Sequence, residues 1–552
     1  MKKVLGAVLL LVTFAAAPAM VGARAQERRG AQAAWRPKLV VFIVVDQMRA
    51  DYPVRYASLL RHGLKRLTTQ GAWYTNAAYP YLTTLTCVGH STIGTGSLPW
   101  RHGMIANNWY DRQSQKSPTC NADPSTTEVS YGPSVTASAT TGAGDSAKAM
   151  MVPTLADTMR QRLKSRVATM SIKARSAIGL AGHEGDFVTW FGEGLTWETS
   201  TAFTRVPVGW FVNYLRGNPV TRDSDKVWER TLPVDRYQYE DDAPGERRAN
   251  GWSTTFPHPL GPSGDRAYYA HWLMSPFADE YLGDMAAAAV DNMHLGTQNR
   301  VDFLGVSFSM LDTVGHGFGP RSHEVQDVLV RLDATIGKLL DHLDKEVGAG
   351  NYVVALSADH GVADIPEQSA GGGRVPGTAI QAAIEAAAKT ALGEDGPFVA
   401  AMSTNDIYFK PGVYQRLKAK PRGLQSVIEH ADALSGVARV FTSDEISTAA
   451  ARASDDPQIR AAALSYYAGR SGDLTVLLKE NWELIGASGT THGSLYAYDQ
   501  RVPVILYGAG IAPGVREEPA TPADLAPTVA ALVGVTLPSP DGRVLSAALK
   551  RN

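Results

Sequence analysis

Three aspartates and three histidines of this chain lie beside apolar runs, and their types match those of metal ligands. An Asp and a His stand four residues apart in MLDTVGHGFGP, and an adjacent Asp-His pair stands in ALSADHGVAD. A further Asp directly follows VVFIVV, and a further His lies within GTTHGS. The residues are Asp46, Asp312, His316, Asp359, His360 and His492. A mixed oxygen and nitrogen set of this kind suits zinc. Because six ligands exceed what one tetrahedral ion needs, we expect two ions.

The segment LTTLTCVGHSTIGTG concentrates hydroxyl groups, with five threonines and one serine in fifteen residues. Two metal ions about 3.5 to 4 Å apart are the usual device for stabilising the attacking and leaving oxygens of a phosphoryl displacement. A hydroxyl held by one such ion loses its proton near neutral pH and becomes a nucleophile. The segment therefore predicts a hydroxyl nucleophile, and its pattern leaves open which hydroxyl is used.

The elements that must position these residues are short apolar runs, each of which stops at polar residues. The runs are Leu39–Val45, Val167–Ile172, Asp302–Phe308 and Tyr352–Leu356. Continuous apolar runs favour strands buried on both faces. An apolar stripe from about residue 323 to 347, with Ser322 as N-cap and Gly348 at its end, predicts a helix. Alternating strands and helices predict an α/β fold with a mostly parallel sheet, and ligands gather at the carboxyl ends of such strands.

Two stretches fit this core poorly and are interpreted as insertions that wall a site. The first covers about residues 196–298 and is rich in Trp, Tyr, Pro and Arg. The second covers about residues 367–488 and contains strand-like 406–409, helix-like 424–433 and strand-like 437–441, enough for a small subdomain. Around both insertions, residues 36–552 are expected to form one catalytic domain.

The amino terminus has the pattern of a secretory signal peptide over residues 1–25. Lys2 and Lys3 precede an apolar run from Val4 to Ala17, and Ala-Arg-Ala follows before residue 26. This run is shorter than the roughly 20 residues that span a bilayer. We therefore expect an exported protein, periplasmic or secreted, with no membrane partner after signal removal.

Charge and cysteine content limit the classes of partner. The chain has 53 Lys and Arg against 54 Asp and Glu, and the basic residues are scattered. This balance argues against nucleic acid or an anionic membrane as partner. Cys87 and Cys120 are the only cysteines. They can pair in an oxidising compartment, but the pattern leaves open whether they do.

The order of the candidate residues resembles the alkaline phosphatase superfamily of two-zinc phosphoesterases. The segments that carry the resemblance are VVDQMRADY, TCVGHSTIGTG, LDTVGHGFGP, SADHG and THGS. The resemblance implies an α/β/α sandwich with inserted cap segments. It also implies one zinc held by Asp46, Asp359, His360 and Thr86, and a second zinc held by Asp312, His316 and His492. Thr86, four residues before His90, matches the nucleophile of the threonine-using branch.

Other members of the superfamily are distinguished by residues near Thr86. Exported sulfatases need Cys-x-Pro-x-Arg, but Cys87 is followed at those spacings by Gly89 and Ser91. Phosphodiesterases and nucleotide pyrophosphatases also use a threonine with an asparagine downstream, and the family spacing favours Asn107 over Asn108 for that place. The chain has no Walker loop, no G-x-S-x-G elbow and no H-E-x-x-H motif, which excludes other common hydrolase classes.

The segment ATMSIKARSA bears on the type of ester. Two Zn²⁺ against three aspartates and a threonine alkoxide leave a charge of about zero, so a dianionic monoester needs further cations. Lys173 and Arg175, two apart on a predicted strand, are expected to point the same way. This Lys-x-Arg resembles phosphate-irrepressible alkaline phosphatases of the PafA and PhoK type, which implies that Thr86, Asn107, Lys173 and Arg175 surround the phosphoryl group. In that family the lysine occupies the place of a third metal, so we expect no catalytic Mg²⁺.

The sequence therefore predicts an exported, zinc-dependent alkaline phosphatase (EC 3.1.3.1) with two zinc ions per chain. It is expected to be a monomer that hydrolyses small phosphate monoesters through a phosphothreonine intermediate. Two alternatives stay open: a nucleotide pyrophosphatase or phosphodiesterase of the same superfamily, and a noncatalytic secreted protein that binds metal or phosphate. Thr86 argues against the second alternative, because a binding protein needs no nucleophile.

Overall fold

The structure, a computed structural model, describes residues 36–132, 142–192, 194–248, 250–484 and 486–550. The predicted signal peptide, residues 1–25, lies outside the described residues. The strands of three residues or more are β1 (Leu39–Val45), β2 (Ala72–Tyr74), β3 (Ala122–Ser130), β4 (Ala143–Asp145), β5 (Val167–Ser171), β6 (Phe187–Phe191), β7 (Trp197–Ser200), β8 (Asp302–Phe308), β9 (Tyr352–Ser357), β10 (Val399–Ser403), β11 (Asp406–Phe409), β12 (Val437–Thr442), β13 (Leu474–Leu478), β14 (Val504–Gly508) and β15 (Gly514–Arg516).

The helices of seven residues or more are α1 (Gly63–Gln70), α2 (Thr86–Thr95), α3 (Leu155–Leu163), α4 (Ala174–Ala181), α5 (Gly209–Gly217), α6 (Arg266–Trp272), α7 (Pro276–Met293), α8 (Met310–Phe318), α9 (His323–Leu343), α10 (Gly377–Leu392), α11 (Val413–Ala419), α12 (Gly423–Asp432), α13 (Pro457–Ser465) and α14 (Leu525–Val533). Within the described ranges, no helix has the length and apolar character needed to cross a membrane.

Among the described residues, eleven strands form the main sheet, in the order β15-β2-β14-β9-β1-β8-β5-β6-β7-β3-β4. The five central strands, β9, β1, β8, β5 and β6, are parallel. The flanking pairs are antiparallel, except that β15 runs parallel to β2. The predicted parallel sheet is thus confirmed at its centre, where five carboxyl ends meet at one edge. Of the four predicted strands, β1 and β8 have the expected bounds, β5 ends one residue earlier and β9 one residue later.

The sheet lies between two hydrophobic cores, as strand β1 shows. Its odd-numbered residues, from Leu39 to Val45, pack into a core that includes α7 and α9. Its even-numbered residues, from Val40 to Val44, pack into a core that includes α3 and α14. Because successive side chains of a strand point to opposite faces, an unbroken apolar run serves both cores. This arrangement is the expected α/β/α sandwich.

Helix α9 begins where the sequence predicts and ends differently. The Ser322 hydroxyl accepts a hydrogen bond from the backbone N–H of Val325 at 3.1 Å, which caps the first turn. The α-helix ends at Leu343 and continues as a π-helical turn over Asp344–Gly348. Gly348 has a φ of 98°, a conformation that glycine adopts without strain.

The stretch 196–298 contributes directly to the main core. Strand β7 pairs with β6 and β3 in the main sheet, and α7 packs against α9. Trp197, Phe211 and Trp272 are buried in the same core as these helices. The expectation that this stretch fits the core poorly is therefore wrong for these elements. Their large aromatic side chains fill core volume, as aliphatic side chains do in the other helices and strands.

The stretch 367–488 has a sheet and a core of its own. Strands β10, β11, β13 and β12 form an antiparallel four-stranded sheet in that order. Helices α10 and α12 pack with it around a separate apolar cluster. The predicted strand 406–409 has the observed bounds of β11, while the predicted helix and second strand are observed as α12 and β12 with ends shifted by one residue. The division into one domain with two insertions stays a prediction.

Candidate active site

The carboxyl ends of β1 and β9 bring three of the predicted ligands together. Asp46 follows β1 directly, and its backbone N–H donates to the carbonyl of Phe308 at the end of β8 at 2.9 Å. Asp359 and His360 follow β9. Asp46, Asp359 and His360 are each 0% exposed. Residues far apart in the chain therefore meet because their strands are neighbours in a parallel sheet.

Asp312 and His316 lie on helix α8, although the glycines around them in the sequence predict a glycine-rich loop, and that prediction is wrong. The four-residue spacing puts both side chains on one face, with His316 Nε2 at 3.1 Å from Asp312 Oδ1. The glycine between them has a packing reason, since a Cβ on Gly315 would lie 2.0 Å from Gln47 Oε1. In the sequence such glycines indicate a loop, whereas here one lets the helix lie close to Gln47.

The three histidines share one orientation. In each, Nδ1–H donates to a backbone carbonyl: His316 to Thr490 at 2.9 Å, His360 to Gly361 at 2.9 Å and His492 to Thr84 at 2.8 Å. This bond selects the tautomer in which Nε2 carries a free lone pair, as metal-binding histidines require. Burial also lowers the pKa of His360 to about 3, which keeps its ring neutral.

A first ligand set gathers around His360. Its Nε2 lies 3.4 Å from Asp46 Oδ1, 3.3 Å from Asp359 Oδ2 and 3.4 Å from Thr86 Oγ1. Both of these carboxylate oxygens are buried and lack a hydrogen-bond partner among the described residues. Burial, together with the charge of Asp46, raises the pKa of Asp359 well above its usual range. Adjacent buried carboxylates with unpaired oxygens fit a divalent cation.

A second ligand set gathers around Asp312. His316 Nε2 lies 3.1 Å and His492 Nε2 lies 3.6 Å from Asp312 Oδ1. The two sets are adjacent. The ring of His360 from the first set stacks on the ring of His492 from the second set, with centroids 3.4 Å apart. Ligand atoms of Asp312, His360 and His492 also fall within 4.8 Å of one another, as do those of Asp46, Asp359 and His360. His360 is thus near both sets, and its assignment to the first zinc stays a prediction from the sequence.

Thr86 is the first residue of helix α2 and is 1% exposed. The helix can begin against the ligand sets because of Gly89, where a Cβ would lie 2.1 Å from the backbone oxygen of Asp359. His90 belongs to the same helix, and its Nδ1–H donates to the carbonyl of Thr86 at 2.9 Å. Burial lowers the pKa of His90 to about 4. Free N–H groups at a helix start favour an anion, so a phosphoryl group suits this position.

Asn107 is held beside Thr86 by both of the chain's cysteines. Its Oδ1 accepts a hydrogen bond from the backbone N–H of Cys87 at 2.8 Å, and its backbone carbonyl accepts one from Cys120 at 2.9 Å. Cys87 and Cys120 form a disulfide, which answers the question that the sequence left open. Since Oδ1 is engaged, the Nδ2 group of Asn107 is left to donate. Asn108, the alternative, is tied instead through its backbone carbonyl to Ser403.

Lys173 and Arg175 do not lie on a strand, and that expectation is wrong. Strand β5 ends at Ser171, Lys173 occupies the N-cap position of helix α4, and Arg175 lies in the first turn of that helix. The chain turns from strand into helix at the edge of the sheet where the ligand sets lie. This turn, and not the alternation of side chains along a strand, brings the two cations to the site. The Arg175 Nε is buried without a hydrogen-bond partner in the described part of the chain.

The Lys173 ammonium joins the two ligand sets. It lies 2.5 Å from Asp46 Oδ2 and 2.5 Å from Asp312 Oδ2. Burial opposes its charge, but Asp312 and Asp46 outweigh this effect and raise the pKa of Lys173 above its ordinary value. The lysine is therefore a permanent cation that contacts both ligand sets.

Gln47 is a site residue that the sequence reasoning missed. Its Nε2 donates to Asp312 Oδ1 at 2.7 Å, and its backbone N–H donates to Asp359 Oδ1 at 3.1 Å. Its φ of 67° is uncommon for a residue other than glycine. Gln47 thus connects a ligand of each set, and its only signal in the sequence is its place directly after Asp46.

Comparison with known proteins agrees with this geometry. Residues 40–500 match the family described as Type I phosphodiesterase / nucleotide pyrophosphatase. Alkaline phosphatase PhoV of Synechococcus elongatus is 32% identical over 93% of this chain and 93% of its own length. Alkaline phosphatase PafA of Elizabethkingia meningoseptica is 32% identical over 91% of this chain and 93% of its own.

Solved structures of PafA match the fold as well. The wild-type crystal structure has a TM-score of 0.84 and 30% identity, and covers 93% of this chain and 99% of that one. A PafA variant with an equal match is changed at a threonine and an asparagine 21 positions apart, and at a lysine and an arginine two positions apart. Thr86 and Asn107, and Lys173 and Arg175, have the same spacings here. The chain therefore belongs to the type I phosphodiesterase/nucleotide pyrophosphatase family, in the alkaline phosphatase superfamily, and is a phosphatase similar to PafA and PhoV.

Proposed function

We propose that the protein is an exported two-zinc alkaline phosphatase, which hydrolyses phosphate monoesters through a phosphothreonine at Thr86. The observation that carries the proposal is the Lys173 ammonium, 2.5 Å from a carboxylate of each ligand set. Arg175, with a buried Nε that no described residue engages, adds a second cation. A monoester carries nearly two negative charges and a diester one, so these cations favour the monoester.

The donor sets suit two zinc ions. Asp46, Asp359, His360 and Thr86 would hold one ion, and Asp312, His316 and His492 would hold the other. Neutral imidazole Nε2 atoms and carboxylate oxygens are ligands that zinc prefers. When bound, the ions supply Lewis-acid stabilisation of the attacking and leaving oxygens.

The side chains of the proposed site act in two steps. Thr86 Oγ1 gives up its proton to solvent and attacks phosphorus in line, the bond from phosphorus to the leaving oxygen breaks, and the alcohol takes up a proton. Water then attacks the phosphothreonine from the vacated side, which releases phosphate and restores Thr86. Asn107 Nδ2–H, Lys173 and Arg175 hold the nonbridging oxygens, and these interactions strengthen in the transition state.

The main rival activity is hydrolysis of phosphodiesters, because the matching family is described by that activity. One assay separates the two: initial rates on 4-nitrophenyl phosphate, on bis(4-nitrophenyl) phosphate and on 4-nitrophenyl sulfate, with the zinc-loaded protein. We expect the monoester to have the highest kcat/KM. A higher kcat/KM on the diester would overturn the proposal, and absence of hydrolysis of all three would support a noncatalytic binding protein.

Export is part of the proposal, and the Cys87–Cys120 disulfide supports it. Disulfides persist in oxidising compartments and are rare in the cytosol. Mass spectrometry of protein from a periplasmic extract should give a mature chain that begins near residue 26. An intact chain retained in the cytoplasm would contradict export.

We also expect a monomer, which light scattering tests directly.

A further inference from the structure

A cleft of about 430 Å³ opens beside the second ligand set. Its lining includes Asp312 and His316 together with Thr490 and Thr491. The lining also includes the apolar residues Met274 and Leu484. Among the described lining residues, Arg247 is the one arginine or lysine and Asp312 is the one acidic residue. Volumes of this order accommodate a small organic group. Thr86 Oγ1 lies 3.4 Å from His360 Nε2 of the first ligand set, so in-line attack by Thr86 would direct the alcohol part of a phosphate ester toward the second set and this cleft.

The backbone around Arg247 is fixed to the elements that carry His316 and His492. Arg247 N–H donates to the carbonyl of Gly317 on α8 at 3.0 Å, and Gly489 N–H donates to the carbonyl of Gly245 at 2.7 Å. Gly489 lies so close to α8 that a Cβ there would be 2.3 Å from the backbone oxygen of His316. The same Cβ position is 3.6 Å from the Arg247 guanidinium carbon. The guanidinium is thus located beside His316, although the side chain is exposed.

The charge of Arg247 is not balanced within the described part of the protein. Two other arginines of these stretches differ in this respect, since Arg230 pairs with Asp241 and Arg374 pairs with Glu367. The Arg247 side chain has no ion pair or hydrogen bond to a described residue. An unpaired guanidinium with five N–H donors at the wall of a cleft is a binding group for a carboxylate or a phosphate.

We propose that Arg247 is a specificity-determining residue, which binds an anionic group on the alcohol part of the substrate. The preferred substrates are then phosphate monoesters whose leaving group carries a second phosphate or a carboxylate. This inference rests on the proposed phosphatase function, because it assigns the cleft to the leaving group. It adds a cation that acts on the leaving group, whereas Lys173 and Arg175 act on the transferred phosphoryl group.

The test uses matched substrates that differ in one charge: 3- and 4-carboxyphenyl phosphate, each paired with its carboxamide counterpart. The measured quantity is the ratio of kcat/KM for carboxylate over carboxamide, in wild type and in Arg247→Ala. This ratio is independent of the fraction of active enzyme, so partial misfolding does not affect it. We expect the ratio to fall about 5-fold for at least one isomer, the scale of a solvent-accessible ion pair. Arg247→Lys should retain part of the preference, and added salt should weaken it in wild type.

The control is Arg248→Ala, which removes the same charge from the next position and from a side chain outside the cleft lining. Its ratio should equal that of wild type. A ratio within twofold of wild type for both isomers in Arg247→Ala would overturn the inference. An equal fall in Arg248→Ala would overturn it too, because general electrostatic attraction would then explain the preference.

Binding provides a readout that does not depend on turnover. Calorimetric titration of zinc-loaded Thr86→Ala with each carboxylate and carboxamide pair should show tighter binding of the carboxylate, and the additional change Arg247→Ala should remove the difference. Equal affinities in the presence of Arg247 would contradict the inference. If wild type hydrolyses neither these substrates nor 4-nitrophenyl phosphate, the proposed phosphatase function itself fails, which is distinct from hydrolysis without a charge preference.

Discussion

The floor of the active site and its rim are built in different ways. The floor consists of buried residues: Asp46, Asp312, Asp359 and His360 follow neighbouring strands of the sheet, and Thr86 begins helix α2 against them. The rim consists of side chains that are partly or largely exposed and come from loops and helix starts, namely Asn107, Lys173, Arg175 and Arg247. Backbone pairing positions the floor, whereas the rim depends on contacts between distant segments.

This difference separates two tasks. The floor holds the nucleophile and the ligands, so it decides which bond is broken. The rim supplies charges that match a substrate, so it decides which ester is accepted. A change in the floor should therefore abolish the reaction, while a change in the rim should alter the choice between esters.

The largest expected effect comes from removing the metal, which affects the whole floor. Prolonged treatment with a chelator should remove activity and lower the Tm, because Asp46 and Asp359 are then left as adjacent buried carboxylates. Zn²⁺ should restore both properties. The control is the same treatment with chelator already saturated with zinc. Full activity in protein shown by elemental analysis to be free of metal would contradict the assignment of the ligand sets.

Thr86→Ala should remove the nucleophile and leave the rest of the floor in place. We expect kcat to fall by roughly 10⁴-fold or more, as when the nucleophile of a covalent mechanism is deleted. Zinc content and Tm should stay near wild type, and Thr86→Ser should retain more activity than Thr86→Ala. Quenched reactions with labelled substrate should trap a phosphoenzyme in wild type and none in Thr86→Ala. A phosphoenzyme in the alanine variant would place the nucleophile elsewhere.

Lys173 and Arg175 test the rim. The double change to alanine should cost roughly 100-fold more in kcat/KM on a monoester than on a diester, since charge-assisted hydrogen bonds contribute about 1.5 to 3 kcal/mol each. Lys164→Ala, an exposed lysine at the end of α3, serves as the control for loss of charge. Equal losses on both esters would indicate a structural role and remove the distinction between floor and rim at these residues.

Gln47 tests how the floor is held together. Gln47→Gly keeps the backbone conformation, because glycine adopts a φ of 67° without strain, and removes the side chain that bonds Asp312. We expect zinc affinity to fall roughly 10- to 100-fold, as for other residues that orient metal ligands. Competition with a chromogenic chelator measures this affinity. Unchanged affinity would mean that Asp312 is held without the amide.

The disulfide should have the smallest effect on activity. Replacing Cys87 and Cys120 by serine opens a loop with a sequence separation of 33 residues, which should lower the free energy of unfolding by about 3 to 4 kcal/mol. The fall in kcat/KM should be less than about 10-fold, because the Cys87 N–H still bonds Asn107. Urea denaturation checks the first value, with each single serine variant expected to lose as much as the double. A loss of activity as large as that of Thr86→Ala would contradict this prediction and mean that the disulfide is needed to position the residues of the floor.

Much of the floor was predictable because its signals are local. The apolar runs that became β1 and β8 have the observed bounds, and Asp46, Asp359 and His360 follow their strands as expected. Strand periodicity and burial act over a few residues, so a sequence pattern reports them directly. The rim was predicted less well. The turn that brings Lys173 and Arg175 to the site was taken for a strand, because an apolar run does not reveal where the chain bends.

The sequence by itself determined the chemical types available: carboxylates, imidazoles and hydroxyls beside buried strands, and two cations in a Lys-x-Arg segment. Only the tertiary structure decided which of these meet. The Gln47 bond to Asp312, the place of Arg247 beside His316 and the Cys87–Cys120 bond all join segments distant in the chain. The aromatic stretch 196–298 joined the main core for the same reason. Distances between remote residues are set by how the elements pack, and no spacing along the chain encodes them.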